Sequence, residues 1–220
     1  MEKLHLFGPQ HSQKEYPTVI DQYILYEEIG RGFTSSVHRA MCLKFEETVA
    51  IKLFDYEHHN YGLHDLYRER ETMALVDHPN VLKSHCSFLG EFGGKQVLWV
   101  VMPFMAEGSC LHILKAAHLD GFDEVYIAAV LVEVLKGLQY LHHHGYVHRD
   151  VKAGNILIDS DGAVKLGDFG MSACLFDSRD TYSRNTFVAT PCWMAPEVID
   201  LDHGYKFNSM RYLLAYGVKA

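Results

Sequence analysis

The chain has 220 residues, 48% of them hydrophobic and 22% charged, an ordinary composition for a globular protein with a sizeable core. A formal net charge of −8 and a pI near 6.0 argue against a nucleic-acid or anionic-membrane partner. The five cysteines (Cys42, Cys86, Cys110, Cys174, Cys192) are scattered and form no CxxC pair, which fits reduced thiols better than a disulfide frame or a zinc site.

Residues 1–22 read as a polar lead-in without an apolar signal core, poorly ordered up to about Tyr16. Tyr23 to Ile29 reads as a strand. Gly30-Arg31-Gly32-Phe33-Thr34-Ser35-Ser36-Val37 follows, and a second strand runs to about Leu43. A glycine turn between two strands lets backbone amides of Gly30 and Gly32 approach a polyphosphate closely, although an ordinary hairpin explains the same pattern. Val49-Ala50-Ile51-Lys52 is a third strand, whose lysine is flanked by apolar residues and so held at the edge of a buried site. Residues 63–76 have helical spacing of Leu66, Met73 and Val76, with Glu69 and Glu71 on the same stretch.

Asp77-His78-Pro79-Asn80 is a turn, followed by strands at Val81–Leu89 and Gln96–Val101 with Gly93-Gly94 between them. Met102-Pro103-Phe104-Met105 then leaves the sheet. Ser109 suits the N-cap of a helix over Cys110–His118. The clearest helix repeats Ile127, Val130, Leu131, Val134, Leu135, Leu138 and Leu141, and Gly145 stops it after three histidines read as an exposed helix end. No apolar run is expected to span a bilayer, since Glu133, Lys136 and Gln139 break the longest candidate.

His148-Arg149-Asp150-Val151-Lys152-Ala153-Gly154-Asn155 places an acid, a lysine and an amide within six positions. Asn155–Ile158 and Ala163–Leu166 read as short strands joined by an Asp161-Gly162 turn. That hairpin returns Asn155 and Asp168 to one end, where hard oxygen donors suit magnesium. Asp168-Phe169-Gly170 precedes a polar run, residues 178–186, closed by Thr190-Pro191-Cys192-Trp193-Met194-Ala195-Pro196-Glu197.

These motifs, in this order, resemble the eukaryotic protein kinases. The implied fold is α+β and bilobal: an antiparallel-sheet small lobe over 23–102 and a helical large lobe over 103–207. The resemblance implies phosphoryl transfer from ATP with Mg²⁺ to protein Ser/Thr hydroxyls. Asp150 would accept the hydroxyl proton and Lys152 would neutralise the moving phosphoryl group. Asn155 and Asp168 would hold the metal. Ile29 to Val37 would cover the phosphates, with Ser35 standing where the pattern has a third glycine. Lys52 would bind the α- and β-phosphates, braced by Glu69 in preference to Glu71. Met102 would be the gatekeeper and Met105 the backbone donor to adenine, with Val37, Ala50 and Leu157 around the ring. An upstream kinase would act on Thr186, with Ser183 second, and Arg149 would pair with that phosphate.

Residues 185–197 look most like the Ste20-like, germinal-centre-kinase branch, and the whole chain is similar to plant relatives of the oxidative-stress-responsive and SPAK-type serine/threonine kinases. Ala189 stands where that branch usually has glycine. Such a kinase is expected in the cytoplasm or also the nucleus, with no nucleic-acid partner and no membrane span.

From Asn208 the resemblance stops, and residues 208–220 read as a divergent tail. The family's later helices, which cover the helix at 127–141, are expected to be missing. Its seven large apolar residues would then forfeit about 1–3 kcal/mol each where bare. The alternative function is therefore a truncated, catalytically weak nucleotide-binding or interaction module.

Overall fold

Strand alternation sorts the residues of the first half into two cores. The computed structural model describes residues 14–32, 35–55, 76–118, 120–148 and 150–168, and the backbone of 173–174. Strands β1 (Tyr23–Arg31), β2 (Ser35–Cys42), β3 (Glu47–Phe54), β4 (Cys86–Phe92) and β5 (Lys95–Pro103) form one sheet in the order β1-β2-β3-β5-β4, every pair antiparallel. On β3 and β5, Val49, Ile51, Leu53, Val97, Trp99 and Val101 point to an outer core closed by Tyr23 and Phe88. Ala50, Phe54, Leu98, Val100 and Met102 point the other way, into the core shared with the second lobe. Lys52 lies in phase with Ala50 and Phe54, so the pleat turns it towards that second lobe.

Three expectations shift at this level. Met102 and Pro103 do not leave the sheet but still pair with Ala50 and Val49. The strand expected from Val81 begins only at Cys86, because residues 80–82 pair elsewhere. Val81 bridges Leu166 in parallel, Leu82 N–H donates to Leu166 O at 2.8 Å, and Leu166 N–H donates to Asn80 O at 2.9 Å. The lead-in is also ordered from Lys14. Tyr16 stacks on His85 with ring centroids 4.0 Å apart and donates to Glu47 Oε2 at 3.0 Å, while Lys14 reaches the same oxygen at 2.7 Å. Residues 1–13 lie outside the described residues, as do 56–75 and the tail.

The second lobe starts with β6 (Gly108–Ser109) and α1 (Cys110–Ala117), whose N-cap Ser109 accepts from His112 N–H at 3.1 Å as the sequence suggests. Helix α2 (Glu124–His143) begins a turn earlier than its apolar repeat. It ends at Gly145, whose φ of +79° favours glycine. Strands β7 (Tyr146–Val147), β8 (Ile156–Ile158), β9 (Val164–Leu166) and β10 (Ala173–Cys174) follow. Here β6, β8 and β9 form one small sheet, and β7 pairs with β10. Asn155 and Ala163, expected in strands, sit just outside them.

Five residues of the α2 repeat are buried: Ile127, Val130, Val134, Leu138 and Leu141. Leu131 is half-buried and Leu135 is 50% exposed, so the buried face takes five of the seven and leaves two at its edge. By length and a mean hydropathy of 1.3, α2 qualifies as a membrane span, against expectation. Its inward face is nevertheless part of the core, with Val134 and Leu141 fully buried. Gly137 is required by close approach: a Cβ there would lie 2.7 Å from Asn80 O. Cys42, Cys86 and Cys110 are free, and burial pushes the Cys110 thiol up to about 11.

Candidate functional site

The loop after β7 is held by its own polar groups. His148 is fully buried. Its Nδ1 accepts from Asp150 N–H at 3.3 Å and its Nε2 faces Gly167 O at 2.9 Å. Those roles fix the tautomer, with the proton on Nε2 donated to the carbonyl. Burial pushes the imidazole well below its ordinary pKa, so the ring is neutral. Asp150 is 6% exposed. Its Oδ2 accepts from Lys152 Nζ at 2.7 Å and from Asn155 Nδ2 at 2.9 Å. A buried carboxylate needs such partners, because desolvation without them costs several kcal/mol, by order of magnitude. The 3-10 turn Ala153–Asn155 makes this possible by folding Asn155 back so that its Nδ2 also donates to Asp150 O at 2.8 Å.

The loop is then stitched to the end of β9. Gly167 N–H donates to Asn155 O at 2.8 Å. Asp168 follows with φ of +61°, a left-handed conformation that aspartate tolerates better than most residues. Its Oδ1 accepts from Lys52 Nζ at 2.8 Å. Lys52 is only 8% exposed and also lies over the Phe54 ring, 4.4 Å from the centroid. Four groups predicted to converge therefore do so: Lys52 meets Asp168, Asp168 follows Gly167, Gly167 bonds Asn155, and Asn155 bonds Asp150.

The donor set fits magnesium with a polyphosphate. Asn155 spends its amide N–H on Asp150, which leaves the amide oxygen as the end of that side chain able to ligate a cation. Two hard oxygens with a lysine at the far end match a cation that keeps water and phosphate oxygens as its other ligands.

The remaining predicted residues divide. Gly30 pairs with Val37 and Arg31 with Ser36 across β1 and β2, and Gly32 N–H donates to Ser35 O at 2.7 Å, which closes the glycine hairpin. Arg31 is turned to solvent and ion-paired with Glu28, so its backbone, not its side chain, is what the hairpin offers. Ile29 is exposed at the same edge. Ala50, Met102 and Met105 are buried in the core cluster that the two lobes share, and Val37 and Leu157 pack against that cluster. Phe33, Thr34, Glu69, Arg149, Ser183 and Thr186 lie outside the described residues.

Sequence reasoning gave His148 no role of its own, nor Phe54, Asn80 or Gly137. Asn80 Nδ2 donates to Glu133 Oε2 at 2.8 Å and to Val164 O at 3.0 Å, tying α2 and β9 to the loop before β4. A histidine two residues before the acid of the loop gave a faint signal. Asn80 and Gly137 act through contacts distant in sequence and gave none, and Phe54 read only as one more apolar residue after Lys52.

The protein kinase domain family matches residues 23–212. The chain is 49% identical over 189 residues to "Serine/threonine-protein kinase fray2" of Dictyostelium discoideum, an overlap covering 86% of this chain and 18% of that protein. It is 44% identical to "Germinal center kinase 3" of Caenorhabditis elegans, over 88% of this chain and 34% of that one. For "Serine/threonine-protein kinase fray1" of Dictyostelium discoideum the identity is 43%, over 94% and 35%. The chain thus spans between about a fifth and about a third of these relatives' lengths.

Proposed function

The chain belongs to the protein kinase family, and from that premise we propose that it is a Ste20-like serine/threonine kinase, transferring the γ-phosphoryl group of ATP to protein hydroxyls. One observation carries the reading: the hydrogen-bonded path from Lys52 through Asp168, Gly167 and Asn155 to Asp150. Bound ATP with Mg²⁺ supplies the phosphoryl group and shields its charge. The chain's own work is positioning and proton handling. Asp150 orients the substrate hydroxyl and takes its proton. Lys152, already on Asp150 Oδ2, offers its ammonium to the charge that develops beside that acid. Asn155 and Asp168 hold the metal, and Lys52 holds the α- and β-phosphates, with Glu69 assigned to brace it. Glycine-hairpin amides from Ile29 to Val37 cover the phosphates. Adenine is received by Met105 beneath the Met102 gatekeeper, between Val37, Ala50 and Leu157.

Thr186 is the residue on which an upstream kinase acts in this reading, and the cytoplasm is where we place the protein. The test is transfer of labelled phosphate from ATP to a generic Ser/Thr protein substrate by the purified chain. Transfer that Asp150→Asn abolishes while nucleotide binding persists supports the reading. Binding without any transfer by the unaltered chain supports the interaction-module alternative instead.

A further inference from the structure

Three side chains of β3 share the face turned towards the second lobe: Ala50, Lys52 and Phe54. The strand register orders them along a line. Towards β2, Ala50 lies opposite Arg39, Lys52 opposite Val37 and Phe54 opposite Ser35. Towards β5, Ala50 lies opposite Met102 and Phe54 opposite Leu98. Ser35 closes the glycine hairpin, its carbonyl accepting from Gly32 N–H at 2.7 Å. One end of the row therefore carries Ala50 and Met102, the residues assigned to adenine. The other end lies beside the hairpin assigned to the phosphates.

A lysine between those ends can lean either way. Side chains two apart on a strand stand about 6–7 Å apart along it, within reach of a four-carbon stem. On one side is the methyl group of Ala50, which gives an ammonium nothing. On the other is the Phe54 ring, and Lys52 Nζ lies over it, 4.4 Å from the centroid. The negative face of an aromatic ring attracts a cation, and the attraction grows where water is excluded. Water is excluded here, since Lys52 is 8% exposed and Phe54 7%. The same Nζ donates to Asp168 Oδ1 at 2.8 Å. The two partners differ in kind. Asp168 belongs to the other lobe and is itself assigned to the metal, so the cation competes for its carboxylate. Phe54 is two residues away on the lysine's own strand, whose end is tied to β5 by the Asp55–Lys95 ion pair at 2.9 Å. The ring binds neither metal nor phosphate and keeps its place whichever partner Asp168 takes.

We propose that Phe54 is a positioning residue for nucleotide binding: its ring face holds the Lys52 ammonium at the hairpin end of β3, set for the phosphates before a nucleotide arrives. This role rests on the phosphate contact given to Lys52 above and adds what aims it. A lysine that has lost the ring must be immobilised afresh at each binding event, which weakens affinity about three- to tenfold. The experiment compares three forms of the full chain, each labelled with carbon-13 at lysine Cε: the unaltered chain, Phe54→Leu, and a chain with 3,4,5-trifluorophenylalanine at position 54. The fluorinated ring keeps nearly the same shape but loses most of its negative face, so it separates attraction of the cation from packing. Without nucleotide, the Lys52 ε-methylene signal, assigned by its loss in Lys52→Met, should lie upfield in the unaltered chain, because the ring current shields protons over the face. In Phe54→Leu that shift should vanish. Titration with a fluorescent ATP analogue and Mg²⁺ should give a dissociation constant raised about three- to tenfold by Phe54→Leu and about two- to threefold by the fluorinated ring. The fluorinated chain should melt at the same temperature as the unaltered one. Equal affinity in those two chains would mean that the ring only fills space, and overturns the proposal. A Lys52 signal without the upfield shift overturns it as well. An unaltered chain that shows the shift but binds no nucleotide sinks the phosphate contact of Lys52 and the proposal with it, a failure told apart from the others because the unaltered chain alone reveals it.

Discussion

Asp150 and Asp168 are two carboxylates of one site, held in different ways. Asp150 is almost wholly buried and takes its partners from two and five residues along the same loop, Lys152 and Asn155. Asp168 keeps 45% of its side chain exposed and takes Lys52, which lies 116 residues earlier on a strand of the other lobe. The loop therefore positions its acid through local bonds that the sequence writes almost contiguously. The Lys52–Asp168 pair exists only when the sheet lobe and the β8–β9 hairpin are both in place. Substituting each side should separate the two kinds of dependence. Asp150→Asn should lower turnover about 10²–10⁴-fold, the usual worth of a positioned base, while the nucleotide dissociation constant barely moves. Turnover near that of the unaltered chain would show that this carboxylate is not the base.

The other half of the comparison fails differently. Lys52→Met removes a charged donor worth about 1.5–3 kcal/mol, so nucleotide affinity should fall roughly tenfold or more, with turnover falling beside it. Lys52→Arg should not rescue it, since a planar fork cannot occupy the space of a compact ammonium over the Phe54 ring. Titration with a fluorescent nucleotide checks both. Unchanged affinity in the methionine variant would mean that Lys52 braces Asp168 and nothing more.

This contrast also explains what was legible in advance. The loop residues Asp150, Lys152 and Asn155 could be read together because their contacts span five positions. Val37, Ala50, Met102, Met105 and Leu157 were singled out through family resemblance alone, whereas period-two alternation by itself puts Ala50 and Lys52 on one face of β3. The sequence reading failed where a contact crosses the chain. Val81 and Leu82 look like the start of a strand, but β9 captures them. Gly137 went unread, because the Asn80 carbonyl that leaves no space for a side chain there lies far away in sequence. Leu135 fits the apolar repeat yet lies outside the buried arc, because a repeat at three and four drifts around a helix.

Gly137 supplies a test of intermediate size, set on the seam between the two regions. Alanine there should gain about 1 kcal/mol from helix propensity. Against that, a Cβ 2.7 Å from a backbone oxygen forces α2 and the 80–82 segment apart, at about 1–3 kcal/mol. The clash should win, giving a lower melting temperature. Residues 80–82 bond Leu166, two residues before Asp168, so turnover should fall modestly while the Asp150 loop keeps its own bonds. A melting temperature that rises in Gly137→Ala would show that the seam can yield without loss.

The smallest expected effect is a pH dependence, and it tests whether His148 is the neutral strut between Asp150 and Gly167. Burial lowers its folded-state pKa below the ordinary value of about 6.5, so below that pH the unfolded chain binds a proton that the folded chain refuses. Stability from this residue is therefore complete above about pH 6.5 and declines as pH falls, with a slope of at most about 1.4 kcal/mol per pH unit. His78, His85 and His142 are shifted the same way by burial and add to the slope, so the raw profile does not isolate one ring. Glu47 has its pKa lowered by Lys14, so its contribution is lost only at more acidic pH, below about 4.5. The difference between the unaltered chain and His148→Gln isolates the strut, because glutamine retains a donor for Gly167 O but does not titrate. Urea unfolding at several pH values between 5 and 7 should give a shallower slope in the variant by up to one proton. Parallel slopes would mean that the ring is protonated in the folded chain, and that its Nδ1 does not accept from Asp150 N–H.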